Sequence, residues 1–305
     1  MGWALGANDA ANVFGTAVAS RMVRFYTAAA LCTVGVLAGA VLEGHEGLET
    51  ISALASPDIS GATFTAVGAA VAMTLMTWLA IPSSTSQALV GSLLAVRLIE
   101  RQPIEFGRLV KVVVCWVTTP IGGLLFAIFF YKILGRILNK LNLDLFEEDV
   151  LLRYSLVVAG SYGAYALGAN NVANVTGVYY GAKMLSANAA VLVGGGAIAL
   201  GVWTYSHKVM LSVGRSIVRL DAFSALVVVL SEAITVHIYA WIGVPVSTSQ
   251  AVVGSVIGVG LVKQASAVRL SVVGRMALGW LATPIISGLV SALIFVVMHL
   301  RYVGP

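Results

Sequence analysis

Charge is scarce in this sequence. Asp, Glu, Lys and Arg together make up 10% of the 305 residues, against about a quarter in a soluble globular domain, so an ordinary water-facing surface is excluded. Cysteine occurs twice, at Cys32 and Cys115. Each lies inside an apolar segment without metal-type spacing, and both read as small packing residues. Histidine occurs four times, never near the polar motifs described below. With no HExxH, P-loop, nucleophile elbow or pair of catalytic acids, the marks of a membrane enzyme are missing. Period-two alternation is missing as well, which excludes a transmembrane barrel. No basic start followed by a small-residue cleavage site marks a secretory signal.

Apolar residues fill the space. They account for 59% of the chain, and the mean hydropathy is +0.95. Stretches near the roughly 20 residues of a helical span occur at Phe25 to Val41, Ala62 to Ile81, Leu109 to Leu134, Ala187 to Thr204, Ala222 to Gly243 and Ala277 to Met298. The expected fold is therefore all-α, a polytopic transmembrane bundle in membrane lipid, placed in the cell membrane. The net charge of +5 comes from Lys and Arg in loops, where they set orientation, and suggests no nucleic-acid partner. The chain opens at MGWALGAND already in apolar sequence, so either Met1 is an internal start or residues completing a first span are missing. Trp78, Trp203, Tyr205, Tyr239 and Trp241 fit interfacial anchoring.

The sequence repeats itself at an offset of 162 to 164 residues. GANDAANVFG at Gly6 matches GANNVANVTG at Gly168 in seven of ten positions, and PSSTSQALVGS at Pro82 matches PVSTSQAVVGS at Pro245 in nine of eleven. WVTTPIGG at Trp116 echoes WLATPIIS at Trp280. Three ordered matches indicate a duplication, with repeats at 1–140 and 154–305 and a charged surface linker at 141–153. Corresponding loops differ in sign. Glu43 to Gly61 holds four acids and no Lys or Arg, whereas Ser206 to Asp221 holds Lys208, Arg215 and Arg219. That predicts inverted topology, as in many secondary transporters, although RLIERQPIEFGR near Arg97 and KQASAVR near Lys263 are both basic.

In each proline-led motif the proline stops one helix, and the hydroxyls that follow suit the cap of the next. These are Ser83, Ser84, Thr85 and Ser86, and in the second copy Ser247, Thr248 and Ser249. Helix N-terminal N–H groups beside hydroxyl donors make an anion site without Lys or Arg. One copy alone would read as a kinked span whose hydroxyls bond their own helix. Two copies point to a shared site.

In the other motif pair, Gly6 and Gly168 permit a helix break. Asn8 with Asn12, and Asn170 with Asn174, stand four apart on one helix face, followed by Gly15 and Gly177 as close-approach positions. Interhelical hydrogen bonding would account for isolated Asn residues, but it needs no carboxylate. Asp9 at a helix centre costs about 2.5 to 3.5 kcal/mol on insertion scales, so it requires a cation or a proton nearby. Carboxylate, amide, hydroxyl and backbone oxygens suit a hard cation such as Na⁺. An anion held without basic side chains must then be neutralised by helix dipoles and by cations arriving with it, which argues for cation-coupled anion symport. A carboxylate in direct contact favours phosphate, which can donate a proton, over sulfate, which can only accept; if Asp9 holds only the cation, that discrimination disappears.

GANDAANVFGTAV with GANNVANVTG, and PSSTSQ with PVSTSQ, resemble the inorganic phosphate transporter (PiT) family over nearly the whole chain. The resemblance implies a sodium-coupled, in some members proton-coupled, phosphate symporter with inverted repeats, re-entrant segments and a homodimeric assembly. Carried onto this sequence, Ser84 to Ser86 and Ser247 to Ser249 would contact phosphate. Asp9, Asn12, Asn171, Asn174, Gln87 and Gln250 would serve sodium or substrate, with Asn8, Asn170 and Ser83 as further candidates. Many members have Thr-Thr-His where both copies here have Thr-Ser-Gln, and Asp where this chain has Asn171; losing a His and a carboxylate makes Na⁺ the expected coupling ion rather than H⁺. A related branch transports sulfate, but it lacks the intact GAND that this sequence keeps.

Glu232 lies midway along its apolar segment, with Ala69 at the equivalent first-half position. It reads either as a coupling or gating group or as a structural partner. Glu43, at a segment end, reads as a solvated loop residue. A passive anion channel lined by helix N-termini is the rival reading; the intramembrane Asp9 and the cation-type amides argue against it.

Overall fold

A computed structural model describes residues 1–56, 58–78, 83–216, 220–263 and 270–302. Pro82, Arg219 and the stretch following Lys263 in KQASAVR lie outside them, as does the Trp78 side chain. The described residues form eleven helices. The first half holds α1 (Gly2–Ala19), α2 (Phe25–Glu43), α3 (His45–Leu54), α4 (Ile59–Trp78), α5 (Thr85–Ile99) and α6 (Phe106–Leu141). The second holds α7 (Leu145–Gly181), α8 (Ala187–Ser216), α9 (Ala222–Trp241), α10 (Thr248–Val262) and α11 (Leu270–Tyr302). Seven of them carry windows long and apolar enough to cross a membrane. One of these, α7, is absent from the six stretches read from hydropathy, because its Asn, Tyr, Ser and Gly residues dilute the apolar signal.

Residues 141–153, expected as a surface linker, are mostly helical. Leu141 ends α6, and Asp144 caps α7 through a reciprocal capping box with Glu147. The bend needs only the residues between, with Asn142 in the left-handed conformation that closes α6.

Each half packs chiefly on the other. The most extensive pairings between the halves are α1 with α8, α2 with α7, α6 with α10 and α5 with α11. Glycine makes these approaches possible. A Cβ at Gly6 would collide with the Ile198 carbonyl, and one at its repeat counterpart Gly168 with the Val36 carbonyl. Gly91 sits against the Pro284 backbone and Gly254 against that of Pro120 in the same manner. Between membrane helices no hydrophobic force drives association, so close packing of small residues supplies the attraction. This corrects the expected role of Gly6 and Gly168: α1 and α7 run unbroken through both, and the missing side chains serve packing. Contacts along α1 and α8 progress in the same direction, from Gly6 and Ile198 to Gly15 and Met210. Those along α2 and α7 also do, from Gly39 and Tyr165 to Gly44 and Val172.

The true interruptions lie before α5 and α10. Each has 15 residues, about 22 Å at 1.5 Å per residue, too short for a hydrocarbon core of about 30 Å. Both start inside the bundle.

Candidate functional site

Both short helices begin the same way. Ser84 caps α5 from an extended backbone and accepts from the Gln87 N–H at 3.5 Å; Ser247 caps α10 and accepts from the Gln250 N–H at 3.4 Å. The cap hydroxyls lie 3.2 Å from Ser86 Oγ and 2.9 Å from Ser249 Oγ respectively. Each terminus thus presents clustered hydroxyls beside free N–H groups and the positive end of a helix dipole.

The two termini meet at one small cavity of about 10 Å³, room for little more than a single water, lined by Ser83 to Ser86, Val246 to Ser249, Asp9 and Asn171. Asp9 and Asn171 occupy equivalent positions of the two signatures. Asp9 and Thr248 face each other across this lining, so the carboxylate of the first repeat adjoins the hydroxyl segment of the second. Among the described residues no Lys, Arg or His lines this space. An anion there would be met by hydroxyls and peptide N–H groups alone, and the one carboxylate would oppose it unless a cation or an anion-borne proton lay between them.

Other expected site residues surround the cavity without lining it. Asn174 Nδ2 donates to Asn171 Oδ1 at 2.9 Å, which leaves Asn171 Nδ2 and Asn174 Oδ1 buried and unpaired. Gln87 Oε1 and Gln250 Oε1, at 5% and 4% residue exposure, are buried and unpaired too. Leaving such a group unsatisfied costs about 1–3 kcal/mol, and the three unpaired carbonyl oxygens, on α5, α7 and α10, are of the type that a hard alkali cation takes. Among the described residues no three His, Cys, Asp or Glu come together. Asn12 lies on α1, part-buried. Glu232 on α9 is 2% exposed with Oε2 unpaired, close enough to Asp9 and Cys32 for charge to act between them.

Three features escaped sequence reasoning. Asn170 bonds the backbone of Val246 rather than facing the cavity; nothing in the motif distinguishes a ligand amide from a backbone-binding one. Glu43 is not simply solvated: Glu43 Oε2 lies 2.6 Å from His237 Nε2 and accepts from Trp241 Nε1 at 3.0 Å, while His237 Nδ1 lies 2.6 Å from the Tyr162 hydroxyl. This links α2, α7 and α9 because α2 ends beside the last turn of α9, a proximity 194 residues apart in sequence. Trp203, Tyr205 and Trp241 are exposed, whereas Tyr239 donates to Thr118 at 2.8 Å.

Comparison with known proteins gives the family and the fold. The family model described as the phosphate transporter family matches residues 5–291. A protein of Pyrococcus abyssi named as a phosphate permease is 28% identical over 98% of this chain and 95% of its own. The sulfate permease CysP of Bacillus subtilis is 31% identical over 95% of this chain and 83% of its own. A solved structure titled the sodium-dependent phosphate transporter superposes with a TM-score of 0.82, covering 98% of this chain and 96% of that one at 23% identity, and shares the fold.

Proposed function

Because this multi-pass membrane chain belongs to the phosphate transporter family, we propose that it is a secondary active transporter that imports inorganic phosphate with Na⁺ by alternating access. The observation that carries this reading is the single cavity shared by two capped helix N-termini and Asp9. The N–H groups and hydroxyls of Ser84 to Ser86 and Ser247 to Ser249 donate to phosphate oxygens. Na⁺ is held beside them by Asp9, Asn12, Asn171, Asn174, Gln87 and Gln250, four of which carry unpaired buried polar atoms. Glu232 adds a fully buried carboxylate in need of a cation.

Phosphate is favoured over sulfate because Asp9 lines the cavity itself. A phosphate oxygen that keeps its proton donates to the carboxylate, whereas sulfate brings only acceptors to it. Proton coupling, as opposed to Na⁺ coupling, lacks a His in either hydroxyl motif.

Inverted repeats belong to the same reading. Gly2 of α1 lies against Val175 of α7, and Phe14 of α1 against Gly160 of α7; α8 runs with α1, and α7 with α2. The equivalent helices α1 and α7 therefore run oppositely, which supports a pseudo-two-fold axis in the membrane plane. A homodimer is also part of the reading, and light scattering in detergent tests it.

Uptake of labelled phosphate into proteoliposomes tests the function. An inward Na⁺ gradient should drive accumulation above equilibrium, and unlabelled sulfate should compete poorly. Accumulation driven by a proton gradient but not by Na⁺ would refute Na⁺ coupling, equilibration without accumulation would indicate a channel, and uptake of sulfate but not phosphate would refute the substrate.

A further inference from the structure

The repeats carry the same residues in different surroundings, and the difference has a pattern. Asn170 on α7 pairs with Val246 as one peptide pairs with another: Nδ2 donates to Val246 O at 2.9 Å, and Oδ1 accepts from Val246 N at 3.2 Å. Val246 is 0% exposed, and its backbone belongs to the extended segment that leads into α10. Without such a partner, a buried peptide group inside a membrane would be left with neither water nor helix to bond. The side-chain amide supplies a donor and an acceptor side by side, matching the peptide it meets.

By the repeat offset, Asn8 is the counterpart of Asn170, and Ser83 that of Val246. Asn8 is turned the other way. Its Nδ2 donates at 3.0 Å to Ala4 O in its own helix. Exposure follows the same division: Asn170, Asn171 and Asn174 are each 1% exposed, while Asn8, Asp9 and Asn12 are all part-exposed. Ala166 is 0% exposed, and its counterpart Ala4 is part-exposed. The second repeat is closed over its signature, and the first is open.

We propose that Asn8 and Asn170 are alternating backbone clamps, each positioning the hydroxyl segment of its own repeat, and that transport exchanges which clamp is engaged. In the exchanged state Asn8 bonds the Ser83 backbone as Asn170 now bonds Val246. Asn170 then turns back to Ala166 O, as Asn8 now does to Ala4 O. The exposures of the two signatures exchange with them. Neither Asn needs to touch phosphate or sodium; each acts through the peptide that aims the hydroxyls. The inference rests on the alternating-access reading above.

The two clamps have opposite signs, and this separates the proposal from a merely structural role. Removing the Asn170 clamp destabilises the present state, whereas removing the Asn8 clamp destabilises the exchanged one. Each hydrogen bond lost shifts the ratio of states about two- to tenfold. Single cysteines at Ala4 and Ala166, in a background with Cys32→Ala and Cys115→Ala, report the two faces through maleimide labelling of purified protein in detergent. Asn170→Ala should slow labelling at position 4 and speed it at position 166, and Asn8→Ala should do the reverse. Asn8→Ala removes only a bond within its own helix in this state, so it tests the proposal even where Asn170→Ala fails to fold. Rates that rise together in both variants, or do not change, overturn the clamps. If phosphate with Na⁺ alters neither rate in the parent protein, alternating access itself fails and the clamps fail with it.

Discussion

Replacing Asp9 by Asn separates the roles of its charge from those of its shape. The amide should be accommodated, because the equivalent position of the second repeat already holds Asn171, lining the same cavity at 1% exposure. The Thr248 hydroxyl beside the carboxylate finds an amide oxygen in the same place. What is lost is a full negative charge beside the cation site. At a 4 Å separation and an effective dielectric of about 20, the attraction between Asp9 and Na⁺ is about 4 kcal/mol. Rehydration of the released ion offsets part of this, leaving an expected loss of about a hundredfold in Na⁺ affinity. The same substitution weakens the acceptor for a phosphate proton and removes the repulsion felt by sulfate, so sulfate should compete better than in the parent. Uptake by proteoliposomes over a Na⁺ titration, with thermal-shift analysis to establish folding, gives both quantities. A half-saturating Na⁺ concentration within twofold of the parent, in folded protein, would remove Asp9 from the cation site. An unchanged sulfate-to-phosphate ratio would remove it from contact with the anion.

Gly254→Ala drives a methyl into the Pro120 carbonyl and should destabilise the protein by about 1–3 kcal/mol, lowering its melting temperature. Gly196→Ala, inside α8 where a Cβ meets nothing within 4 Å, should not lower it and should stabilise the helix by up to about 1 kcal/mol. At the outer end of the α9–α10 hairpin, Asp221 caps α9 and pairs with Lys263. Burial pushes the Asp221 carboxyl up, but bonds from Lys263 and Ser224 outweigh it and hold the group below the usual range; the bond to Asp221 raises Lys263. The sign follows for each partner. The depressed Asp221 stabilises above its unfolded value of about 3.9 and stops doing so as pH falls through its folded value. The raised Lys263 stabilises below about 10.4 and stops as pH rises through its folded value. Both are partly exposed, so Lys263→Ala should cost under about 1 kcal/mol at pH 7, and thermal melts of variant and parent should converge as pH falls through the folded value of Asp221. Asp221→Ala loses the cap as well and should cost about 1 kcal/mol more.

The helical class, the duplication and the two hydroxyl clusters were legible because each is local: apolar run length, self-similarity and a proline followed by capping residues. The joining of the clusters at one cavity followed from repetition rather than from either copy. Long-range contacts were not legible. Gly6 and Gly168 carry the composition of a helix break, but the backbone of another helix lying against them decides their use. Glu43 sits at the end of an apolar run in sequence, and only the packing of α2 beside α9 brings His237 and Trp241 to it. Asn170 differs from Asn171 by one position and turns to a peptide because a helix rotates successive side chains by about 100°.

The symmetric contacts and the asymmetric ones divide along functional lines. Gly6 with Gly168 and Gly91 with Gly254 meet equivalent backbones in both repeats, so the framework is shared. The repeats depart from each other at Asp9 and Asn171, at Ala69 and Glu232, and at the open ends of their hairpins. In the second repeat Lys263 pairs with Asp221. Their counterparts are Glu100 and Asp58, two acids joined through Ser56, which donates to Glu100 at 2.6 Å and accepts from the Asp58 N–H at 3.4 Å. The closed repeat is thus the one whose hairpin is tied by opposite charges, and the open repeat the one whose hairpin carries like charges. Glu100→Lys gives the first repeat the missing ion pair. If hairpin closure and clamp engagement are coupled, this variant should favour the exchanged state by about 0.5 to 1 kcal/mol, slowing maleimide labelling at position 4 about two- to fivefold and speeding it at position 166. Salt should weaken the effect, since both partners face water. Labelling rates that match the parent at low ionic strength would show that the hairpin ends do not influence which repeat is closed.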